Sequence, residues 1–257
     1  MKKINNPIQF FSKNYLDNHT MLSSSSQDVK WRKLIDNNPF KENNVIAEGS
    51  ISLNFKLLFM DENGNNIIRS IDTIILQNYQ LKAFTLSYVD VNGSLQEFKS
   101  VINNTDQNSV IKIAQPVNAR GIAMDINDPS SMAQQIGQMR VCKSIIDLKA
   151  TTESEVNPVV KDGNFRTADG TPVVWTNYEK WGARIVINSI QKPQYDLLKS
   201  FIKRDDYITI IPWYEWEPKD IYECSIERGK IGTYAVNRWS GLISQTLQLG
   251  AKENAAN

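Results

Sequence analysis

The stretch IDTIILQNYQLKAFTLSYVDVNGSLQEF, residues 71–98, decides the fold because it predicts a strand followed by a β-hairpin. Residues 71–76 and 84–88 are predicted strands, and alternate residues of the second one, which are large and apolar, fall on one face. The dipeptide Asn-Gly at residues 92–93 predicts a tight turn that leads into a third strand. This part of the chain is therefore expected to be antiparallel β-sheet.

Strand patterns continue on both sides of this stretch. Residues 50–59 alternate apolar and polar side chains, which predicts a half-buried strand whose inner face carries Ile51, Leu53, Phe55, Leu57 and Phe59. The sequence DENGN at residues 61–65 predicts a turn. Further strands are predicted at residues 110–113, 122–126 and 139–142. Closely spaced strands with turn residues between them predict an all-β sandwich.

The order of several segments in this region resembles a known family. The segments are NYLDNHTMLSSSS, WRKLID, the stretch quoted above, ARGIAMDI and GQMRVCKSIIDL. Together they resemble the galactose-binding, discoidin-type β-sandwich, a jelly roll, and we expect that domain over residues 14–150. Asp36 is not followed by the threonine and tryptophan often found in the family, so we transfer no ligand-binding residue to this chain.

A polar stretch separates this region from a second predicted domain. We place the linker at residues 151–158, TTESEVNP, and the second domain at residues 159–253, followed by a short tail at 254–257. Asp-Gly pairs at residues 162–163 and 169–170 predict turns, and residues 173–175, 183–187, 207–211, 221–224 and 242–249 predict strands. The second domain is expected to be mainly β.

One helix is predicted within the second domain. It begins near Pro193, since proline suits the first turn of a helix. Its apolar residues recur at helical spacing at Tyr195, Leu198, Phe201 and Ile202. The domain is thus expected to be a β-sandwich with one flanking α-helix.

The second domain also carries a resemblance. The segments DGNFRTADGTPVVWTNYEKWGARIVI, YITIIPWYEWEPKDIYECSIE and WSGLISQTLQLGAKE are similar to small β domains in minor tail and distal tail proteins of long-tailed bacteriophages. That resemblance implies a tail-tube-like β-sandwich.

Two groups of aromatic residues are candidate interface residues. Trp213, Tyr214 and Trp216 lie between two prolines, which are largely excluded from central strands, so these rings are expected on a loop or an edge. They either cap a core or form an assembly contact. Phe10 and Phe11 stand in the polar arm of residues 1–13 and are expected either to fray with that arm or to dock on a neighbouring subunit.

Composition argues against several classes of function. The formal net charge of +1 disfavours a nucleic-acid partner, and no apolar run is long enough to span a membrane. His19 is the only histidine, so a histidine-rich zinc site and a Ser-His-Asp triad away from it are excluded, whereas a site made of carboxylates alone stays open. Cys142 and Cys224 are expected to be buried thiols. We expect no catalytic residue, no cofactor and no metal.

The favoured function is structural. We expect a ring-forming subunit of a long-tailed phage tail, or of a related tail-like particle, at its tip or distal end. Its partners would be further copies of itself and tube, tail-tip or hub subunits. It would be made in the host cytoplasm and carried in the virion. The alternative is a carbohydrate-binding module for attachment to cell surfaces, with a glycan as partner, and an enzyme is the third possibility.

Overall fold

The computed structural model of the chain describes residues 2–3, 7–25, 31–35, 45–47, 52–127, 134–149, 155–166, 172–204, 208–211, 221–231, 235–236 and 243–251. The chain divides into two compact units. We call Ser12–Ser144 the sandwich unit, and we call Met1–Phe11 together with Ile145–Ala255 the sheet unit.

Strands make up most of the described residues. In chain order they are β1 (Lys2–Lys3), β2 (Pro7–Phe11), β3 (Met21–Ser25), β4 (Val45–Ala47), β5 (Ser52–Leu58), β6 (Arg69–Gln80), β7 (Phe84–Val89), β8 (Leu95–Val101), β9 (Asn108–Ala119), β10 (Gly121–Asn127), β11 (Gln134–Cys142), β12 (Ser144–Lys149), β13 (Glu155–Arg166), β14 (Pro172–Ile190), β15 (Ile208–Ile211), β16 (Tyr222–Ile231), β17 (Ala235–Val236) and β18 (Ile243–Ala251). A 3-10 helix spans Trp31–Ile35, and the α-helix α1 spans Lys192–Arg204. The prediction of a mainly β fold that contains one α-helix is confirmed for the described residues.

The sandwich unit consists of two antiparallel sheets. One has five strands in the order β3-β5-β10-β7-β8, and the other has four strands in the order β4-β11-β6-β9. The alternation predicted for residues 50–59 is confirmed along β5, where Leu53, Phe55 and Leu57 are at most 1% exposed. These side chains belong to one apolar core that also contains Ile74 of β6 and Met139 of β11. Burial of this apolar surface is the main force that holds the sheets together.

The predicted Asn-Gly hairpin is also confirmed. Gly93 has φ of 89°, a left-handed conformation that glycine adopts without strain. The Asp90 amide donates to the Ser94 carbonyl at 2.9 Å, and the Asp90 carboxylate accepts from the amides of Asn92 and Ser94 at 2.9 Å each. This turn joins β7 to β8 in the register that places Val89 opposite Leu95.

The sheet unit contains one nine-stranded sheet, in the order β1-β13-β14-β18-β16-β15-β2-β12 with β17 beside β18. The two short strands predicted at residues 173–175 and 183–187 are parts of the single long strand β14. The predicted turn at Asp162-Gly163 instead lies within β13, where the register with β14 shifts next to Asp162. A β-bulge accommodates turn-forming residues within a strand. The Asp-Gly pair at residues 162–163 is therefore compatible with a continuous strand, and the predicted turn there is wrong. The second Asp-Gly pair, at residues 169–170, lies outside the described residues.

The N-terminal segment is part of this sheet. Strand β2 pairs with β15, and Phe10 lies opposite Ile210 while Phe11 lies opposite Thr209. Both phenylalanine rings are 0% exposed. The expectation that Phe10 and Phe11 fray with an arm of residues 1–13 is therefore wrong for residues 7–11, because this strand buries both rings within its own chain. Their role at an interface stays a prediction.

Helix α1 agrees with the sequence pattern. It begins one residue before Pro193, and Tyr195 and Leu198 on its apolar face are buried. Lys192 and Asp196 form an exposed ion pair at 2.6 Å, one turn apart. None of the described helices is long and apolar enough to cross a bilayer.

Several predicted features fall partly or wholly outside the described residues. The structure does not describe the predicted interface residues Trp213, Tyr214 and Trp216. It also does not describe residues 151–154 of the expected linker. The other residues of that linker, 155–158, begin strand β13. Cys142 is buried, as expected for a small apolar side chain.

Candidate binding cleft

A polar cleft lies at one end of the sandwich unit. Strand β3 runs antiparallel to β5, and Met21 lies opposite Leu58, so the loop before β3 and the loop after β5 meet at the same end. We call residues 12–20 the N-terminal loop and residues 59–68 the turn loop. The cleft between them has a volume of about 480 Å³ and is lined by Lys13, Asp17, Asn18, His19, Met60, Asp61, Glu62, Asn63, Ile67 and Arg69.

The N-terminal loop is held in place by one buried amide. The Asn14 carboxamide oxygen accepts from the amides of Val141 at 2.9 Å and Leu16 at 3.2 Å, and its nitrogen donates to the Met139 carbonyl at 3.3 Å. The Tyr15 amide adds a bond to the Val141 carbonyl at 2.9 Å. Asn14 therefore fastens this loop to the end of β11, and a buried amide bonded in this way specifies one conformation.

The tip of the N-terminal loop is a closed turn around Asp17. The Thr20 amide donates to the Asp17 carbonyl at 3.0 Å, and the Asp17 amide donates to the Thr20 hydroxyl at 2.9 Å. One carboxylate oxygen of Asp17 accepts from the His19 amide at 2.9 Å. The turn presents the exposed side chains of Asn18 and His19 at the cleft.

The turn loop is organised by Asp61 in the same manner as the hairpin turn at Asp90. The Asp61 carboxylate accepts from the amides of Asn65 at 2.8 Å and Asn63 at 2.9 Å, and from the Asn65 side chain at 3.1 Å. These bonds, first of all the one from the Asn65 amide, hold the pKa of Asp61 below its ordinary value, and the charge of His19 acts in the same direction. Because its oxygens already have partners, Asp61 shapes the loop and has little capacity left for a ligand.

Arg69, the first residue of β6, also lines the cleft. Its guanidinium carbon is 5.4 Å from the centre of the Tyr15 ring, a cation–π contact, and Tyr15 in turn meets Phe59 edge to face at 6.3 Å. The Arg69 Nε atom is buried and has no hydrogen-bond partner among the described residues, and the same is true of the Asn66 Oδ1 and Arg120 Nε atoms. Buried polar atoms of native proteins usually have partners, so unpaired ones require an explanation.

The cleft combines polar, charged and apolar groups that a ligand could contact. It offers amides that both donate and accept at Asn18 and Asn63, two cations at Lys13 and Arg69, and apolar surface at Met60 and Ile67. No group of three or more potential metal ligands occurs among the described residues.

Of the residues predicted as interface residues, only Phe10 and Phe11 are described, and they do not line this cleft. Phe10 and Phe11 are buried in the sheet unit, and Trp213, Tyr214 and Trp216 lie outside the described residues. The sequence pattern does not predict the cleft, although it predicts one of its walls, the turn at residues 61–65. The available signal was the pair of Asp- and Asn-rich loops that flank two paired strands.

Comparison with known proteins gives structural likeness alone. No protein-family model matches the sequence, and no curated protein resembles it significantly. The chain is similar to the family 32 carbohydrate-binding module of Streptococcus pneumoniae EndoD, with 12% identity and a TM-score of 0.42 over 51% of this chain and 99% of that one. It is also similar to the family 32 module of C. perfringens NanJ in complex with galactose, with 13% identity and a TM-score of 0.38 over 51% and 99% of the two chains.

A third similar structure is chitosan-binding module 2 from a chitosanase/glucanase of Paenibacillus sp. IK-5, in complex with chitotriose. Its identity is 15% and its TM-score is 0.37, over 48% of this chain and 93% of that one. The ligands in these structures are properties of those proteins.

Proposed function

We propose that the sandwich unit is a carbohydrate-binding module that takes a sugar in the cleft between the N-terminal loop and the turn loop. The proposal rests above all on the composition of this cleft. Sugar hydroxyls both donate and accept hydrogen bonds, and Asn18 and Asn63 can complement both roles. Sugar rings also present C–H groups, for which Met60 and Ile67 offer apolar surface.

The construction of the cleft favours a ligand that is bound without rearrangement of the backbone. Asn14 fixes one wall and Asp61 fixes the other through hydrogen bonds within the chain. A site that is ordered beforehand loses less conformational entropy when it binds. The volume of about 480 Å³ falls within the range of roughly 300–1,000 Å³ that is usual for small-molecule sites.

The two similar turns provide a matched test of this proposal. Asn63 lies in the turn that lines the cleft, and Asn92 holds the equivalent position in the turn at residues 90–94, which does not line it. The variant Asn63→Trp should fill the cleft, whereas Asn92→Trp adds the same side chain at an exposed turn elsewhere in the unit.

The measurement is binding of the full chain to a glycan array, followed by calorimetric titration with the glycans that bind. We expect N63W to lose at least about tenfold in affinity and N92W to keep the affinity of the unmodified protein. Equal binding by the unmodified protein and by N63W would show that the sugar binds outside this cleft. Failure of the unmodified protein to bind any glycan would refute the proposal that the sandwich unit is a carbohydrate-binding module.

The expectation of a phage-tail ring subunit has no support from the fold, the cleft or the comparisons. It stays a prediction, and so do the expected tube, tail-tip and hub partners and the location in a virion. A non-catalytic role is part of the present proposal, since the cleft is assigned to binding.

A further inference from the structure

Two cations and three carboxylates line the cleft. Lys13 and Arg69 line it together with Asp17, Asp61 and Glu62. Within the part of the chain that the structure describes, neither cation forms an ion pair with these carboxylates. A cation that is not ion-paired in a partly buried site can bind an anion, because desolvation strengthens the interaction between the two charges.

The carboxylates of the cleft are directed to other partners. Both oxygens of Asp61 accept hydrogen bonds within the turn loop, from the Asn63 and Asn65 amides and the Asn65 side chain. One oxygen of Asp17 accepts from the His19 amide. Glu62 is exposed to solvent at the tip of the turn. These acids therefore build or border the loops, and among the described residues none of them forms an ion pair with Lys13 or Arg69.

Arg69 is the more specific of the two cations. Its guanidinium is held against the Tyr15 ring at 5.4 Å, and its Nε atom has no hydrogen-bond partner in the part of the chain that the structure describes. Moving the guanidinium onto a ligand would thus cost no hydrogen bond at that atom. A guanidinium presents a planar fork of donors that matches the two oxygens of a carboxylate.

From these observations we infer that the sugar taken by the cleft is an acidic one, whose carboxylate is bound by Arg69 with Lys13 as a second cation. The inference rests on the proposed function of the cleft and names the ligand class, a uronic-acid type of sugar. The hydroxyl groups of the same sugar meet Asn18 and Asn63 on the two loops.

The test compares an acidic sugar with its neutral ester. Trigalacturonate and its methyl ester differ in the charged group alone, and a neutral galactose trisaccharide and a sulfated disaccharide complete the set of probes. Affinities of the full chain are measured by calorimetry at low and at physiological salt. We expect trigalacturonate to bind at least about tenfold more tightly than its ester, and we expect this preference to shrink as salt rises.

Arg32 supplies a matched control for Arg69. Its guanidinium carbon lies 5.3 Å from the Trp31 ring, a contact like that between Arg69 and Tyr15, yet it does not line the cleft. The variants Arg69→Met and Arg32→Met remove the same charge and keep a similar side-chain volume. We expect R69M to abolish the preference for the acid and R32M to retain it. Arg69→Lys keeps the charge without the fork and should retain part of the preference.

Each outcome bears on a different statement. Equal affinity for the acid and its ester, or equal effects of R69M and R32M, would refute the inference that the sugar is acidic. The proposal that the cleft binds a sugar would still stand. Binding of the sulfated probe alone would refute the inference that the anionic group of the ligand is a carboxylate. Absence of binding to any sugar would overturn the proposed function and this inference together. Thermal melting curves of each variant show whether it is folded, so that a loss of affinity is not confused with a loss of folding.

Discussion

Replacing Gly121 by alanine tests how the fold supports the cleft. Gly121 opens β10 and lies opposite Leu58 of β5. A Cβ atom built at this position would lie 2.1 Å from the Leu57 carbonyl oxygen and 2.9 Å from the Leu58 Cα atom. Both of these atoms belong to the backbone, so a change of side-chain rotamer cannot relieve the contact. The strands themselves must separate.

The expected cost follows from a comparison with a second glycine. Overpacking in a core costs about 1–3 kcal/mol when side chains can adjust, so a clash with backbone should cost 3 kcal/mol or more, on the order of a hundredfold in the opening equilibrium. Gly93 has nothing within 4 Å of its Cβ position but has φ of 89°. The variant Gly93→Ala should therefore cost only about 1–2 kcal/mol, from backbone strain.

Hydrogen exchange of the full chain, followed by mass spectrometry, resolves this difference because it reports opening of each segment separately. We expect G121A to raise hydrogen exchange about a hundredfold or more in peptides from β5 and β10. We expect G93A to raise exchange by only about tenfold, in peptides from the strands that flank its turn, β7 and β8. The turn loop follows β5 directly, so G121A should also weaken the cleft. Equal effects of the two variants would show that the strand register that pairs Gly121 with Leu58 is wrong.

Three further predictions concern other parts of the chain. Phe10→Ala should destabilise the sheet unit by about 3–5 kcal/mol in denaturant unfolding of the monomer, because the ring is 0% exposed, and a loss below about 1 kcal/mol would return it to the interface residues. Asp61 and Asp90 should titrate below their ordinary pKa of 3.8 in carboxyl NMR spectra, because backbone amides, first those of Asn65 and Ser94, bond to the charged forms. These turns should thus hold above pH 3.8 and loosen as the pH falls through the lowered values, whereas titration at or above 3.8 would contradict the hydrogen bonds. Trp213→Ala or Trp216→Ala should weaken self-association in sedimentation by about 2 kcal/mol while leaving monomer folding unchanged, and unfolding of the monomer would assign the ring to a core.

The strands of the sandwich unit could be predicted because their signals are local. The alternation along residues 53–59 and the Asn-Gly turn before Leu95 each follow from neighbouring residues. Helix α1 is predictable for the same reason, since its buried residues recur at helical spacing. Local patterns of this kind define elements well even when they leave the pairing of those elements open.

The remaining features depend on contacts between distant residues. Strand β2 is stabilised by pairing with β15, about 200 residues later in the chain, and nothing in the sequence of residues 7–11 points to that partner. Strand β14 was divided in the prediction because its apolar residues are interrupted by polar ones, although its pairing with β13 continues through them. Pairing of this kind overrides the local pattern.

The two Asp-centred turns show why the cleft could not be found from either loop alone. Strands β5 and β7 both pair with β10 so that Leu58 and Val89 lie beside Gly121, and their following turns therefore project at the same end of the five-stranded sheet. Both turns have the same hydrogen bonds to an aspartate and a glycine with positive φ. Only the turn at Asp61 lines the cleft.

What distinguishes the turn at Asp61 is the N-terminal loop beside it. That loop stands where it does because Asn14 bonds to Val141 and Met139 of β11, far along the chain. A common turn thus becomes one wall of a binding site when a second segment is fastened next to it. The sequence difference that matters lies in Asn14, outside the turn, and loops positioned by a rigid scaffold in this way are where proteins commonly place their binding residues.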